Sequence, residues 1–142
     1  MFLIRRHIPR SVLVLAVLSA CAGCARNPRI EGNVTLDGAP VDGGTIIFFQ
    51  GTGPGSDKGN APIVGGKYVI EGERARNLTP GTYRVEIFWQ RRIAKQDPNS
   101  PNVDTNPAVE QPIPKKYNGP ESTLTREVQS GTNKFDFDLT SK

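Results

Sequence analysis

The side chains that most readily do covalent or metal chemistry are scarce in this chain: one histidine, His7, and two cysteines, Cys21 and Cys24. Cys21 follows Leu18, Ser19 and Ala20, a branched apolar residue and then two small ones. That order suits a signal-peptidase pocket and a cysteine whose thiol carries a diacylglyceryl thioether. Upstream, Arg5, Arg6 and Arg10 form a basic flank before the apolar run 11–18, which is far shorter than the ~20 apolar residues a spanning helix needs. The segment therefore reads as an address: a lipoprotein signal peptide over residues 1–20, cleaved before Cys21, and a lipidated tether over 21–29. Cys24 is the alternative acceptor, although Cys21 stands where its branched apolar residue would be. The residues after Arg5-Arg6 do not follow the twin-arginine export pattern, so the general secretory route is expected. Ala22 stands in place of the aspartate that retains lipoproteins in an inner membrane, which favours the outer one.

Cleavage would remove His7, and with it any Ser-His-Asp or Cys-His nucleophile and any soft-metal ligand set. Carboxylates remain. Asp136 and Asp138 lie two apart, as glycosidase acids can, but the alternating strand around them reads as a solvated face. Asp97, Asn99, Asp104 and Asn106 offer oxygen ligands without the glycine and glutamate of a calcium loop. The glycine-rich stretch 50–60 lacks the Lys-Ser/Thr ending of a phosphate cradle, since Lys58 is followed by Gly59. Tyr83, Phe88 and Trp89 can stack on a sugar ring where they are exposed, and core packing is their plainer role. The expectation is a chain without catalytic residues, metal or cofactor.

The residue balance limits the rest. Loss of Arg5, Arg6 and Arg10 from 18 basic residues leaves 15 against 14 acidic ones, so the mature chain lacks the concentrated positive charge that nucleic acid requires. About 120 residues suffice for one small domain with a single core. Both cysteines precede it, so no disulfide staples it. Arg91-Arg92 and Lys115-Lys116 are short basic pairs, read as solvated surface or as contacts to anionic wall polymer, lipid or protein.

The elements that must position these residues follow from period-two alternation. Ile30, Gly32, Val34 and Leu36 alternate with Glu31, Asn33, Thr35 and Asp37 in a half-buried strand. Asp37-Gly38-Ala39-Pro40 supplies a turn, and the apolar run 45–49 is expected to complete a hairpin with the first strand. Residues 50–60 read as a loop, Gly65-Gly66 as a tight hairpin turn, and Tyr68 and Ile70 as inward-facing. The run 82–90 is the clearest strand, with Tyr83, Val85, Ile87 and Trp89 inward, Arg84, Glu86 and Gln90 outward, and Phe88 interrupting the polar face. Residues 91–112, with four prolines, read as a long surface loop. Segments 113–117, 124–128 and 134–139 complete the sheets. The fold class is all-β, a sandwich of about seven strands over residues 30–140.

The succession of motifs in 30–48, the Gly-x-Tyr of Gly66-Lys67-Tyr68 and the Pro-Gly-x-Tyr of Pro80-Gly81-Thr82-Tyr83 resembles carboxypeptidase-regulatory-like, or transthyretin-like, domains. With the N-terminal cysteine motif and Ile113-Pro114-Lys115-Lys116-Tyr117, the chain looks like small bacterial lipoproteins built on that domain. The resemblance implies an Ig-like, prealbumin-like sandwich that acts as a noncatalytic accessory module. Catalytic relatives in the wider group use histidines and a C-terminal Tyr-Arg-Gly-Ser, whereas this chain ends Asp138-Leu139-Thr140-Ser141-Lys142. The expected role is a lipid-anchored envelope module that contacts a protein, or alternatively a polysaccharide, through Phe88, Arg91, Arg92, Val103, Lys115 and Lys116.

Overall fold

The computed structural model describes residues 27–53, 56–93 and 108–142. They form two main sheets packed face to face, with only two short 3-10 turns, Gly72–Ala75 and Lys115–Tyr117. Strand β1 (Arg29–Leu36) is the centre of the first sheet. Asp37 and Gly38, at φ 50° and 82°, make the tight turn that an Asp-Gly pair favours, and β2 (Ala39–Pro40) returns antiparallel on β1.

The expected hairpin between β1 and the run 45–49 does not form. The return on β1 ends with β2, and Gly43 and Gly44, at φ 118° and 90°, bend the chain across to the second sheet. There β3 (Thr45–Phe49) lies between β4 (Asp57–Pro62) and β6 (Gly81–Phe88), and β9 (Thr125–Val128) follows on the far side of β6. Residues 57–60 of the supposed loop 50–60 are thus strand, because Ile46 and Phe48 bring Ala61 and Gly59 beside them in register. Gly65-Gly66 turns tightly as expected, yet it closes only a single bridge, Val64 to Lys67. Beyond the bridge β4 stays with the second sheet while β5 (Lys67–Ile70) joins β1, so the turn is a corner between layers.

Two further expectations change at the C-terminal side. The ends of the long loop pair as a ribbon, β7 (Arg91–Ile93) with β8 (Ala108–Glu110). Residues 115–117 form a 3-10 turn instead of a strand, because Pro114 opens the segment and Ile113 alone is buried there.

The inner faces follow the predicted alternation. Ile30, Val34, Tyr68, Ile70, Phe137 and Leu139 of the first sheet pack toward Ile46, Phe48, Tyr83, Val85 and Ile87 of the second, all buried. Each such side chain contributes about 1.5–3 kcal/mol of burial. Phe48 is the hub, with ring centroids of Tyr83, Phe135 and Tyr68 at 6.2, 6.4 and 6.5 Å. Tyr83 fixes the start of β6: its Oη donates to the Thr79 carbonyl at 2.8 Å and accepts from the Thr79 N–H at 3.0 Å.

The last strand, which alternates without fault in sequence, is broken into β10 (Thr132–Lys134) and β11 (Phe137–Leu139), both parallel to β1. At the break the Phe135 N–H still donates to the Glu31 carbonyl at 2.9 Å. The Phe135 carbonyl instead accepts from Tyr68 Oη at 2.8 Å, and Asp136 Oδ1 accepts from both the backbone N–H and Nδ2 of Asn33 at 2.8 Å. Asp136 lies on the solvated face as expected and also serves there as a ladder substitute.

The two bonds from Asn33 hold the Asp136 carboxyl below the usual carboxylate range. A depressed folded-state pKa adds stability that is complete above the unfolded value of about 3.9 and is lost as pH falls through the folded one. The urea midpoint of the wild type is expected to fall as pH drops from about 5 to about 2. Asp136→Asn, which keeps an acceptor oxygen but does not titrate, should show a shallower fall, and equal slopes would remove Asp136 from the acid response.

Candidate functional site

The candidate site is built where β6 runs out. Phe88 pairs with Thr45 at the start of β3, and two glycines let the chain pass beneath it. A Cβ on Gly44 would stand 2.0 Å from the Phe88 carbonyl oxygen, and one on Gly43 3.3 Å from Trp89 Nε1. Trp89 therefore lies just beyond the strand, half-buried across a glycine bend and packed against the edge of the core toward which its alternation pointed it. Its backbone N–H donates to Gln111 Oε1 at 3.0 Å, which ties the end of β6 to the chain leaving β8.

Arg91 closes the indole. Its guanidinium carbon stands 5.0 Å from the Trp89 ring centroid, and Nη2 donates to Glu110 Oε2 at 2.9 Å. The backbone of Arg92 pairs with Val109. Val109 is 61% exposed, and Val64, which adjoins the corner bonded to Asp42, is 69% exposed. Aromatic, charged and exposed aliphatic side chains thus share one end of the sandwich.

That end is the one farthest from where the domain begins. β1 rises from Arg29 to Leu36, about 23 Å at ~3.3 Å per residue. At its start lie Ile70, Glu71, Gly131 and Thr132. At its finish lie the 37–38 turn and the 42–44 bend that carries Phe88 and Trp89.

Of the residues expected to make contacts, Phe88, Arg91 and the backbone of Arg92 come together. Lys115 and Lys116 lie on the second 3-10 turn, near Thr140 and the finish of β1. Lys116 Nζ donates to Thr140 Oγ1 at 3.3 Å and to the Lys142 carbonyl, and it stands 5.0 Å from the Tyr117 ring centroid. Lys116 thus pins the C-terminal end of the described chain, while Lys115 keeps an exposed side chain. Cys21, Cys24 and Val103 lie outside the described residues, as do Asp97, Asn99, Asp104 and Asn106.

Cations cover most of the half-exposed rings. Arg84 stands 5.2 Å from the Phe49 centroid, and Arg126 5.9 Å from that of Phe135. With Trp89 and Tyr117 also covered, Phe88 is the half-buried ring among the described residues that carries no cation. Sequence reasoning singled it out because an aromatic residue interrupted a polar alternation.

It missed Glu86. Expected to point into solvent, Glu86 is only 5% exposed, and its Oε1 accepts from Arg84 Nη2 at 2.8 Å. The reason is the cross-strand row Thr45, Ile47, Phe49, which shares the outer face with Phe88, Glu86 and Arg84. The near-continuous apolar run 45–49 was the available signal, since a strand that is apolar on both faces packs on both.

Among the described residues no helix is long and apolar enough to cross a membrane. Compared with known proteins, the chain matches no family model and no curated protein.

Proposed function

We propose that this chain is a noncatalytic lipoprotein of the bacterial cell envelope, anchored through Cys21 or Cys24, that serves as a protein-interaction or structural module. Its domain belongs, on this reading, with the carboxypeptidase-regulatory-like and transthyretin-like β-sandwiches. The motif order given above and the Tyr83 bonds to Thr79, the kind of tyrosine corner used by Ig-like sandwiches, support that assignment. The observation that carries the functional reading is the cluster Phe88, Trp89, Arg91 and Val109 at the end opposite Arg29. Aromatic and arginine side chains over a glycine-seated backbone are the composition of a contact surface, and a tether at the other end leaves it facing away from the bilayer.

The carbohydrate alternative has one specific support, the uncovered ring of Phe88. Trp89 supports it less, because a sugar stacking on the indole would have to displace Arg91 from whichever face it covers. A photo-crosslinking residue at Val109 in intact cells separates the two. A recurring protein adduct, reduced about tenfold by Phe88→Ala at unchanged protein level, is the expected result. Adducts to polysaccharide alone would replace the protein reading with the carbohydrate one, and no adduct of either kind would remove this end as a contact.

A further inference from the structure

The opposite end carries a second feature. Between β4 and the 3-10 turn Gly72–Ala75 lies an open groove of about 400 Å³ whose lining includes Asp57, Lys58, Asn60, Glu73, Arg74 and Arg76. Gly59 makes its floor: a Cβ there would stand 3.1 Å from the Arg74 carbonyl, so the absent side chain lets the turn close onto the strand. Asp57 accepts from Asn60 Nδ2 at 3.3 Å, and Glu73 stands 3.6 Å from Arg76, with side chains 93% and 69% exposed. A pair so exposed holds its partners weakly, so the Arg76 fork remains available to a phosphate beside the exposed Arg74, and guanidinium forks match phosphate in geometry.

The location adds the ligand's source. Glu71, the residue before the turn, is paired with Arg29, so the groove adjoins the start of β1. On the anchored reading proposed above, only the six residues 22–27 separate Cys21 from the buried Pro28. At about 3.3–3.6 Å per residue they reach at most about 20–25 Å, about the length of β1 itself. The groove must then stay close to the lipid surface that the anchor enters, and a bacterial membrane offers a dense layer of phosphates there.

We propose that the groove carrying Arg74 and Arg76 takes the phosphate of an anionic phospholipid headgroup, which lays the β4 end of the domain against the bilayer. Lipid anchor and headgroup contact then act as the two signals that stable peripheral attachment uses.

The test uses the mature chain carrying Cys21→Ser and Cys24→Ser, so that no acyl chain contributes. It is sedimented with vesicles of phosphatidylglycerol and phosphatidylcholine, and with vesicles of phosphatidylcholine alone. The expected result is at least about tenfold stronger association with the anionic vesicles, lost at about 0.5 M salt. Arg74→Gln with Arg76→Gln should reduce it about tenfold at an unchanged urea midpoint. Equal association with both vesicles overturns the proposal, as does anionic binding that survives the double substitution. If inorganic phosphate shifts the Gly59 and Arg74 amide resonances while the vesicles are not distinguished, the site serves free phosphate and the lipid assignment falls. Because the protein is unlipidated, these results are independent of whether Cys21 is acylated in cells, which fractionation of the lipidated chain decides separately.

Discussion

Gly32→Ala is expected to unfold the domain at ordinary temperature. Its Cβ would stand 1.8 Å from the Phe135 carbonyl oxygen and 2.6 Å from the carbonyl carbon, and neither atom can yield alone. The Phe135 N–H is bonded to Glu31, its carbonyl to Tyr68 Oη, and Asp136 to Asn33. Relieving the overlap therefore means separating β10 and β11 from β1 and uncovering Phe137 and Leu139 behind them. A loss of at least about 4 kcal/mol is expected, a large share of the ~5–15 kcal/mol that holds a small domain together. Urea unfolding of the mature chain checks it. Gly53→Ala is the control, since a Cβ there meets nothing within 4 Å and its backbone is not left-handed. A Gly32→Ala midpoint equal to that of Gly53→Ala would sink the account of the break in the last strand.

The second large effect concerns attachment. Cys21→Ser replaces the thiol on which a thioether would be built, and serine's hydroxyl is not a substitute for it. The expected outcome is transfer of the protein from the membrane fraction to the soluble fraction, with loss of labelling by radioactive palmitate. Each buried methylene of an acyl chain is worth about 0.8 kcal/mol, so removing the chains changes partitioning by many orders of magnitude and leaves at most the weak headgroup contact. Retained label in Cys21→Ser, lost only on adding Cys24→Ser, would assign the anchor to the second cysteine. Full membrane retention without label in the double variant would end the lipoprotein reading.

What was legible in the sequence was local. Alternation placed Ile30, Val34, Tyr68, Ile70, Tyr83, Val85 and Ile87 on the inner faces, and Asp37-Gly38 and Gly65-Gly66 announced their turns. What escaped depends on partners distant in the chain. Nothing within residues 45–49 says that they pair with 84–88 and not with β1; that follows from the Gly43-Gly44 bend and from the closed edge that β2 and β5 give β1. Residues 57–60 looked like loop because Gly59 and Asn60 are poor strand formers, yet Gly59 is there to admit the 3-10 turn. The break at Phe135-Asp136 leaves the alternation intact, so no periodicity can reveal it. At the candidate site, Phe88 and Arg91 were visible as an apolar residue out of phase and a basic pair. Glu86 was not, because its burial is imposed by the apolar row on β3.

The parallel pairing of β1 with β10 and β11 has a mechanical consequence. On the anchored reading proposed above, a tether would pull on β1 at its Arg29 end, whereas β11 leaves the sheet at the other end, beyond Leu139. Tension between the two does not peel these strands apart one rung at a time. It loads the rungs from Arg29-Thr132 to Leu36-Leu139 in shear, so that many hydrogen bonds must fail together. β1 and its parallel partners β10 and β11 thus form a clasp that is strongest along the line from Arg29 to Leu139.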